Sequence, residues 1–339
     1  MSWFAAILIF TIPVRAASPA RFVSAKTCAA CHPAEFASQS ASAHAGALSA
    51  VSDRSGFPPG RLSREPRYRY EVLDAGDALR VRIDNGADLM DLPLEWAFGA
   101  GRQAVTFVTR VNREWYVEHY ATWYAATKAY GPSPGQEALR PKSLPEAAGL
   151  LYKIADPRFG IQGCFECHST GPVSFDGQGH ATVNEKGVRC EGCHGPGSQH
   201  VADASRYPLL NPAKLSAAEL NNLCGRCHRR PADAGTVIDW NYAWNVRHEP
   251  VYFSRSQCFL KSSGRFSCLT CHDPHEAAGK KSDSFFNAKC GDCHAGCAVK
   301  ERTNCIDCHM PLVSPQPPLR FTNHWIGIYT AGGKLKPVH

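Results

Sequence analysis

The chain has 339 residues, 44% of them hydrophobic and 20% charged, a composition that reads as a globular protein with enough apolar content for one or two domains. Its formal charge of +7 is a modest excess, and beyond the N-terminus no segment reaches the about 20 apolar residues a membrane-spanning helix needs. Sixteen cysteines against three methionines are the outlying feature. Cysteines this dense build a disulfide framework, metal sites or cofactor attachment points, and spacing decides among these.

Residues Met1 to Ala16 run through an apolar stretch, Trp3 to Val14, and end in Val14-Arg15-Ala16 before Ala17. That is the shape of a signal peptide with a small-residue cleavage site. No Lys or Arg precedes the apolar run, which leaves a membrane anchor, a mis-set start codon or a buried helix open. The reading places the mature chain in the periplasm or outside the cell, without a transmembrane helix.

Cys28, Cys31 and His32 form a Cys-x-x-Cys-His motif, followed by Ser42-Ala43-His44-Ala45. From Tyr68 to Tyr124 apolar and polar residues alternate, as in Tyr68-Arg69-Tyr70-Glu71-Val72 and Leu79-Arg80-Val81-Arg82-Ile83, with Gly and Asp-Asn-Gly breaks between runs. A period of two with such turns predicts a small antiparallel sheet, closed by Pro132, Pro134 and Gly135. His119 lies in its aromatic stretch, Trp115 to Tyr124.

Beyond this region the motif returns six times. The copies are Cys164, Cys167, His168; Cys190, Cys193, His194; Cys224, Cys227, His228; Cys268, Cys271, His272; Cys290, Cys293, His294; and Cys305, Cys308, His309. Two thiols three positions apart reach the two vinyl groups of one porphyrin, and the adjacent imidazole binds its iron. Zinc ribbons also use Cys-x-x-Cys, but they draw four ligands from paired knuckles and do not explain a His after every second Cys. Seven covalent haems c are therefore expected. Their propionates would add about fourteen carboxylates, partly offset by about one positive charge per ferric core. The basic side chains then pair with propionates, and no nucleic-acid partner is expected.

Cys258 and Cys297 remain outside the motifs. In an oxidising compartment two spare thiols suggest one disulfide; two unpaired thiols are the alternative, since sequence does not show that their Cα atoms are close.

An iron with two protein ligands exchanges electrons, whereas one with an open position binds substrate. Setting aside the C-terminal His339, seven further histidines meet seven irons: His44, His119, His180, His200, His248, His275 and His324. His44, His200 and His275 each sit just after an attachment motif and are expected to cap a neighbouring haem rather than their own. His119 reads equally as a ligand or a structural histidine, and His180 lies in a Gly-rich loop where it is a ligand or simply solvated.

The chain resembles exported multihaem c-type cytochromes related to the tetrahaem cytochrome of ammonia oxidisers and, more distantly, to hydroxylamine oxidoreductase. The resemblance rests on Cys28 to His32 with His44, on Cys190-Glu191-Gly192-Cys193-His194-Gly195-Pro196-Gly197 with His200, on Cys268 to His275, and on Cys305 to Pro311 with His324. It implies mostly His/His ligated haems in closely packed pairs, with His44, His200, His275 and His324 as distal ligands and Cys258 and Cys297 as the family's extra cysteines. No reaction is implied.

The expected fold is mainly irregular, with short α-helices around the haem motifs and a small antiparallel β insertion. Its segments are a signal peptide over 1–16, an N-terminal haem segment over 17–50, a haem-poor β-rich insertion over 51–150, a six-haem domain over 151–328 and a tail over 329–339. Electron transfer between redox partner proteins is the leading function. The alternatives are an oxidoreductase with one open iron acting on a small nitrogen or sulfur compound, and a subunit stacking into a filament.

Overall fold

The computed structural model describes residues 19–338 apart from 54–55, 65–66, 77, 159, 232–237, 277–280 and 295–303. The expected signal peptide, Cys297 and His339 lie outside the described residues.

Two helices, α1 (Ala25–Cys28) and α2 (Pro33–Ser40), precede a long run of strands. These are β1 (Leu48–Ala50), β2 (Gly60–Arg64), β3 (Tyr68–Asp74), β4 (Leu79–Asp84), β5 (Leu89–Pro93), β6 (Trp96–Phe98), β7 (Ala104–Arg110), β8 (Trp115–Tyr124) and β9 (Ala129–Pro132). After a short helix, α3 (Leu144–Ala148), comes β10 (Gly149–Lys153). One sheet is the meander β2-β3-β4-β5; the other runs β1-β6-β7-β8-β10, with β9 also paired to β8.

Alternation places one side of each strand in the core. In β4, Leu79, Val81 and Ile83 are buried, while Arg80 turns outward to hydrogen-bond Asp91 on β5. The buried set joins Tyr70 and Val72 against Val105, Phe107 and Val117 of the larger sheet, so the two sheets stack face to face. Each fully buried Val, Ile or Phe contributes about 1.5–3 kcal/mol.

The β region exceeds the small insertion expected. β1, β2, β9 and β10 fall outside the alternating stretch, and all four are short edge strands. An edge strand pairs on one side only, so it needs little of the two-faced pattern that marks β3, β4, β7 and β8.

Past β10 the chain breaks into short pieces, as expected around the motifs. They are α4 (Ile161–His168), the hairpin β11 (Ser169–Phe175) with β12 (Ala181–Lys186), α5 (Cys190–His194), α6 (Ser198–Ala202) and α7 (Ala217–His228). Then follow α8 (Glu249–Phe253), α9 (Gln257–Lys261), α10 (Cys268–Cys271), α11 (Asp283–Gly291), α12 (Cys305–His309) and the small hairpin β13 (Leu312–Val313) with β14 (Phe321–Thr322). Phe165 of α4 pins this half to the larger sheet: it is fully buried, with the rings of Trp96, Phe98, Tyr116 and Phe175 at 5.1–6.0 Å. Among the described residues no helix is long and apolar enough to cross a membrane.

Candidate metal centres

The motifs sit in or at the ends of single helical turns. His32 N–H bonds the Cys28 carbonyl at 2.8 Å, His272 the Cys268 carbonyl at 3.0 Å and His294 the Cys290 carbonyl at 3.0 Å. Residues i, i+3 and i+4 of such a turn share one face, so both thiols and the imidazole of a motif present together. The fourth motif ends α7, the longest helix in this half, whose start is fixed by a reciprocal capping box between Ser216 and Glu219.

Three motif histidines face a second histidine from a distant part of the chain. His228 and His44 have ring centres 6.3 Å apart with planes crossed at 78°. His194 and His275 lie 6.2 Å apart and nearly parallel, at 5°. His272 and His324 are 6.1 Å apart at 34°. Imidazole nitrogens bind metals at about 2 Å, so two imidazoles on opposite sides of one metal hold their ring centres about 6 Å apart. Among the described residues no group of three or more His, Cys, Asp or Glu converges as a metal cluster; these histidines meet in twos.

The other ring nitrogen is occupied, as it is in metal-ligating histidines generally. Nδ1 of His168, His194, His309 and His324 lies 2.7–3.0 Å from the backbone carbonyls of Ala47, Leu210, Gly327 and Thr322. That contact fixes Nδ1 as the donor and leaves the Nε2 lone pair for a metal. Removal from water lowers the imidazoles of His168 and His324 below the ordinary histidine value, which keeps them neutral. His228 differs. Its Nδ1 meets the Glu249 carboxylate at 3.0 Å, and the pair is strong enough to raise the imidazole to about 9 despite partial burial.

Backbone contacts deliver the distant histidines. The His44 carbonyl accepts from Val188 N–H at 2.8 Å, and the neighbouring Val188 carbonyl accepts from the Gln39 side chain at 2.7 Å. The His44 ring lies near the Pro274 carbonyl, while Ser38 of α2 donates to the His275 carbonyl at 2.9 Å. The Asp273-Pro274-His275 segment thus supports two histidine pairs at once. Glu191, inside the third motif and buried, accepts from Val23, Ser24 and Gly197 N–H at 2.8–3.1 Å and ties the first motif's segment to α5.

Through their thiols the attachment sites form one connected array. Cys28 lies close enough to Cys190 for the two thiols to interact, as do Cys167 and Cys227, Cys224 and Cys268, and Cys290 and Cys305. Cys193 is close enough to Cys224, and Cys271 to Cys290, for their charges to interact. Site 4, the Cys224 to His228 motif, is the branch point: sites 2, 3 and 5 all approach it. Sites 1 and 3 form one arm, and sites 5, 6 and 7 another.

The remaining predicted residues are placed differently. His200 holds Nδ1 against the Tyr207 carbonyl at 3.0 Å, and His248 is half-buried with Nδ1 unpartnered. For neither is a second imidazole present at the 6 Å separation among the described residues. His119 is fully buried in β8, and its Nε2 meets the Thr109 hydroxyl at 2.7 Å. That hydroxyl already donates to the Pro93 carbonyl, so Nε2 carries the proton and donates to Thr109. Nε2 is thus used inside the sheet, while Nδ1 is buried without a hydrogen-bond partner. His180 is exposed at the β11–β12 turn, its Nδ1 held 2.9 Å from Asp176. Cys258, in α9, lies within electrostatic reach of Cys293 and Cys271, while its expected partner Cys297 is outside the described residues. Neither Glu249 nor the Val188 contact to His44 is marked in the sequence; the one signal for Glu249 is its place directly after His248.

These residues fit covalently bound haem. Thiols and an imidazole share each helical turn, and opposing imidazoles stand at the bridging distance with their other nitrogen engaged. In addition α10, α11 and α12 bury no side chain of their own, so helices carrying three attachment motifs lean on something other than an apolar protein core.

Residues 118–195 match the family pattern described as cytochrome c554 and c-prime. The chain is 27% identical over 183 residues to the multihaem cytochrome MtrA of Shewanella baltica, covering 45% of this chain and 52% of that protein. It is 28% identical over 159 residues to the C-type polyhaem cytochrome OmcC of Geobacter sulfurreducens, covering 33% of this chain and 20% of that protein. The chain therefore spans about half the length of one relative and a fifth of the other. The crystal structure of the outer cell wall cytochrome OcwA superposes with a TM-score of 0.51 over 90% of this chain and 79% of that one, at 13% identity, a likeness of fold.

Proposed function

We propose that this chain, a multihaem c-type cytochrome, carries seven covalent haems c and passes electrons between redox partners in the periplasm or outside the cell. The observation that carries the reading is the three histidine pairs at 6.1–6.3 Å, each joining a motif imidazole to one from elsewhere in the chain. Bound haem supplies the one-electron chemistry. The chain's part is to attach it through the fourteen motif cysteines, to ligate it with His32, His168, His194, His228, His272, His294 and His309, and to block the far side of the iron with a second imidazole. On this reading His44, His275 and His324 are the distal ligands at sites 4, 3 and 5, and His200 and His248 serve two further sites. The finer kinship with the ammonia-oxidiser tetrahaem cytochrome and hydroxylamine oxidoreductase rests on the motif residues and the histidines beside them; export rests on the apolar N-terminal segment, and the segment boundaries and a Cys258 to Cys297 disulfide likewise rest on the sequence.

A pyridine haemochrome assay with intact mass tests the number, and seven haems per chain are expected. Spectra of the same sample test ligation. A predominantly high-spin protein would overturn the mostly bis-histidine array.

A second reading has its own support. His119 is bonded to Thr109 and His180 to Asp176, which leaves two irons without a histidine from the seven candidates. An oxidoreductase acting on a small nitrogen or sulfur compound needs one such position. Binding of carbon monoxide to the reduced protein, with turnover of nitrite, hydroxylamine and tetrathionate, separates this from a carrier.

A further inference from the structure

We propose that the Glu249 carboxylate makes site 4, where the arms of the array meet, harder to reduce than its neighbours, by drawing on the Nδ1 proton of His228. This rests on reading His228 and His44 as an axial pair.

The contrast among motif histidines carries the argument. His168, His194 and His309 donate Nδ1 to neutral carbonyls, whereas His228 donates to a carboxylate at 3.0 Å. A charged acceptor strengthens the hydrogen bond about twofold over a neutral one. The imidazole gains anionic character and becomes a stronger donor to iron, which favours the ferric state. Among the distal histidines, His275 also meets a carboxylate, Asp273. That contact is longer, 3.3 Å against 3.0 Å, and Asp273 is the more exposed carboxylate, 45% against 30% for Glu249, so the hydrogen bond to His228 is the stronger of the two. Glu249 also lies within electrostatic reach of His324 and His272, but its direct hydrogen bond is to His228 alone of these three.

Position gives the effect its consequence. The thiols of sites 2 and 5 approach those of site 4, and Cys193 of site 3 lies within electrostatic reach of Cys224, so site 4 stands between the arms. Raising the free energy of the electron there turns the junction into a divide, with electrons resting on the arms and crossing site 4 only transiently.

The crossed planes provide a handle. Axial imidazoles near perpendicular, as in His228 and His44 at 78°, leave the iron's upper orbitals nearly degenerate and give a strongly anisotropic low-spin resonance. The parallel pair His194 and His275 gives a rhombic one. Paramagnetic resonance during a redox titration of the holoprotein follows both signals separately. In Glu249→Gln, which keeps an acceptor but loses the charge, the anisotropic signal is expected to shift at least tenfold toward reduction, about 59 mV for one electron. The rhombic signal should stay in place, and Glu249→Asp should restore most of the original value. No shift, or an equal shift of both signals, overturns the proposal. Should Glu249→Gln fail to load haem, the unmodified protein decides: its anisotropic signal must titrate below the rhombic one, and the opposite order overturns the proposal. Absence of any anisotropic signal in that protein, with seven haems present, instead refutes the His228 and His44 pairing beneath it.

Discussion

Gly187 approaches Ala45 so closely that a Cβ on the glycine would stand 2.0 Å from the Ala45 carbonyl oxygen. Its φ of +77° is one that side chains with a Cβ avoid. The next residue, Val188, donates to the His44 carbonyl, so this close backbone contact sets where His44, the proposed distal ligand of site 4, stands. Gly187→Ala is expected to push the His44 loop away, at a cost of about 1–3 kcal/mol for the strained backbone. The strongly anisotropic low-spin signal should be lost and a high-spin signal should replace it, with haem content unchanged.

Removing a distal imidazole should open an iron without detaching haem. His44→Ala, His275→Ala and His324→Ala are each expected to add one equivalent of carbon monoxide binding per reduced chain over the unmodified protein. Optical titration with the gas measures it. An increment from none of the three would break the link between ring separation and ligation.

His119→Ala should behave in the opposite way. The histidine is fully buried and satisfies Thr109 rather than a metal, so no new carbon monoxide site is expected. Its loss leaves a cavity and strips Thr109 of a donor, at about 1–3 kcal/mol for the unpaired polar group and more for the void. Chemical denaturation followed by far-ultraviolet dichroism reports the β region separately from haem absorbance.

Glu191 accepts backbone N–H groups on both sides of the join between the first and third motifs. Hydrogen bonds to a charged group contribute about 1.5–3 kcal/mol each, so Glu191→Ala should cost at least one such bond. The N-terminal segment should then become cleavable. Limited proteolysis with mass detection is expected to release a fragment bearing the first haem before any other, a product not seen with the parent protein.

Two things were settled by the sequence alone. The spacing of seven Cys-x-x-Cys-His motifs marks the thiols and adjacent imidazoles proposed for attachment, because that pattern is contained in five consecutive residues. The alternation in β3, β4, β7 and β8 likewise marks strands, because a two-faced strand writes its burial into a period of two. The edge strands lacked that imprint, and the β region was accordingly read too small.

What only the tertiary structure decided is which histidine stands across from which motif. His44, His119 and His324 are the same side chain in sequences of similar polarity. A clamp at Gly187 delivers the first to His228, a strand hydrogen-bonds the second to Thr109, and the hydroxyl of Ser256 holds the backbone of the third beside His272. The first and third contacts join segments far apart in the chain, the second depends on the register of β7 on β8, and no local pattern encodes them. The same holds for Glu249. A carboxylate after a histidine is unremarkable in a sequence, and it acquires a role only because α8 packs beside the end of α7 and brings it within 3.0 Å of the His228 imidazole.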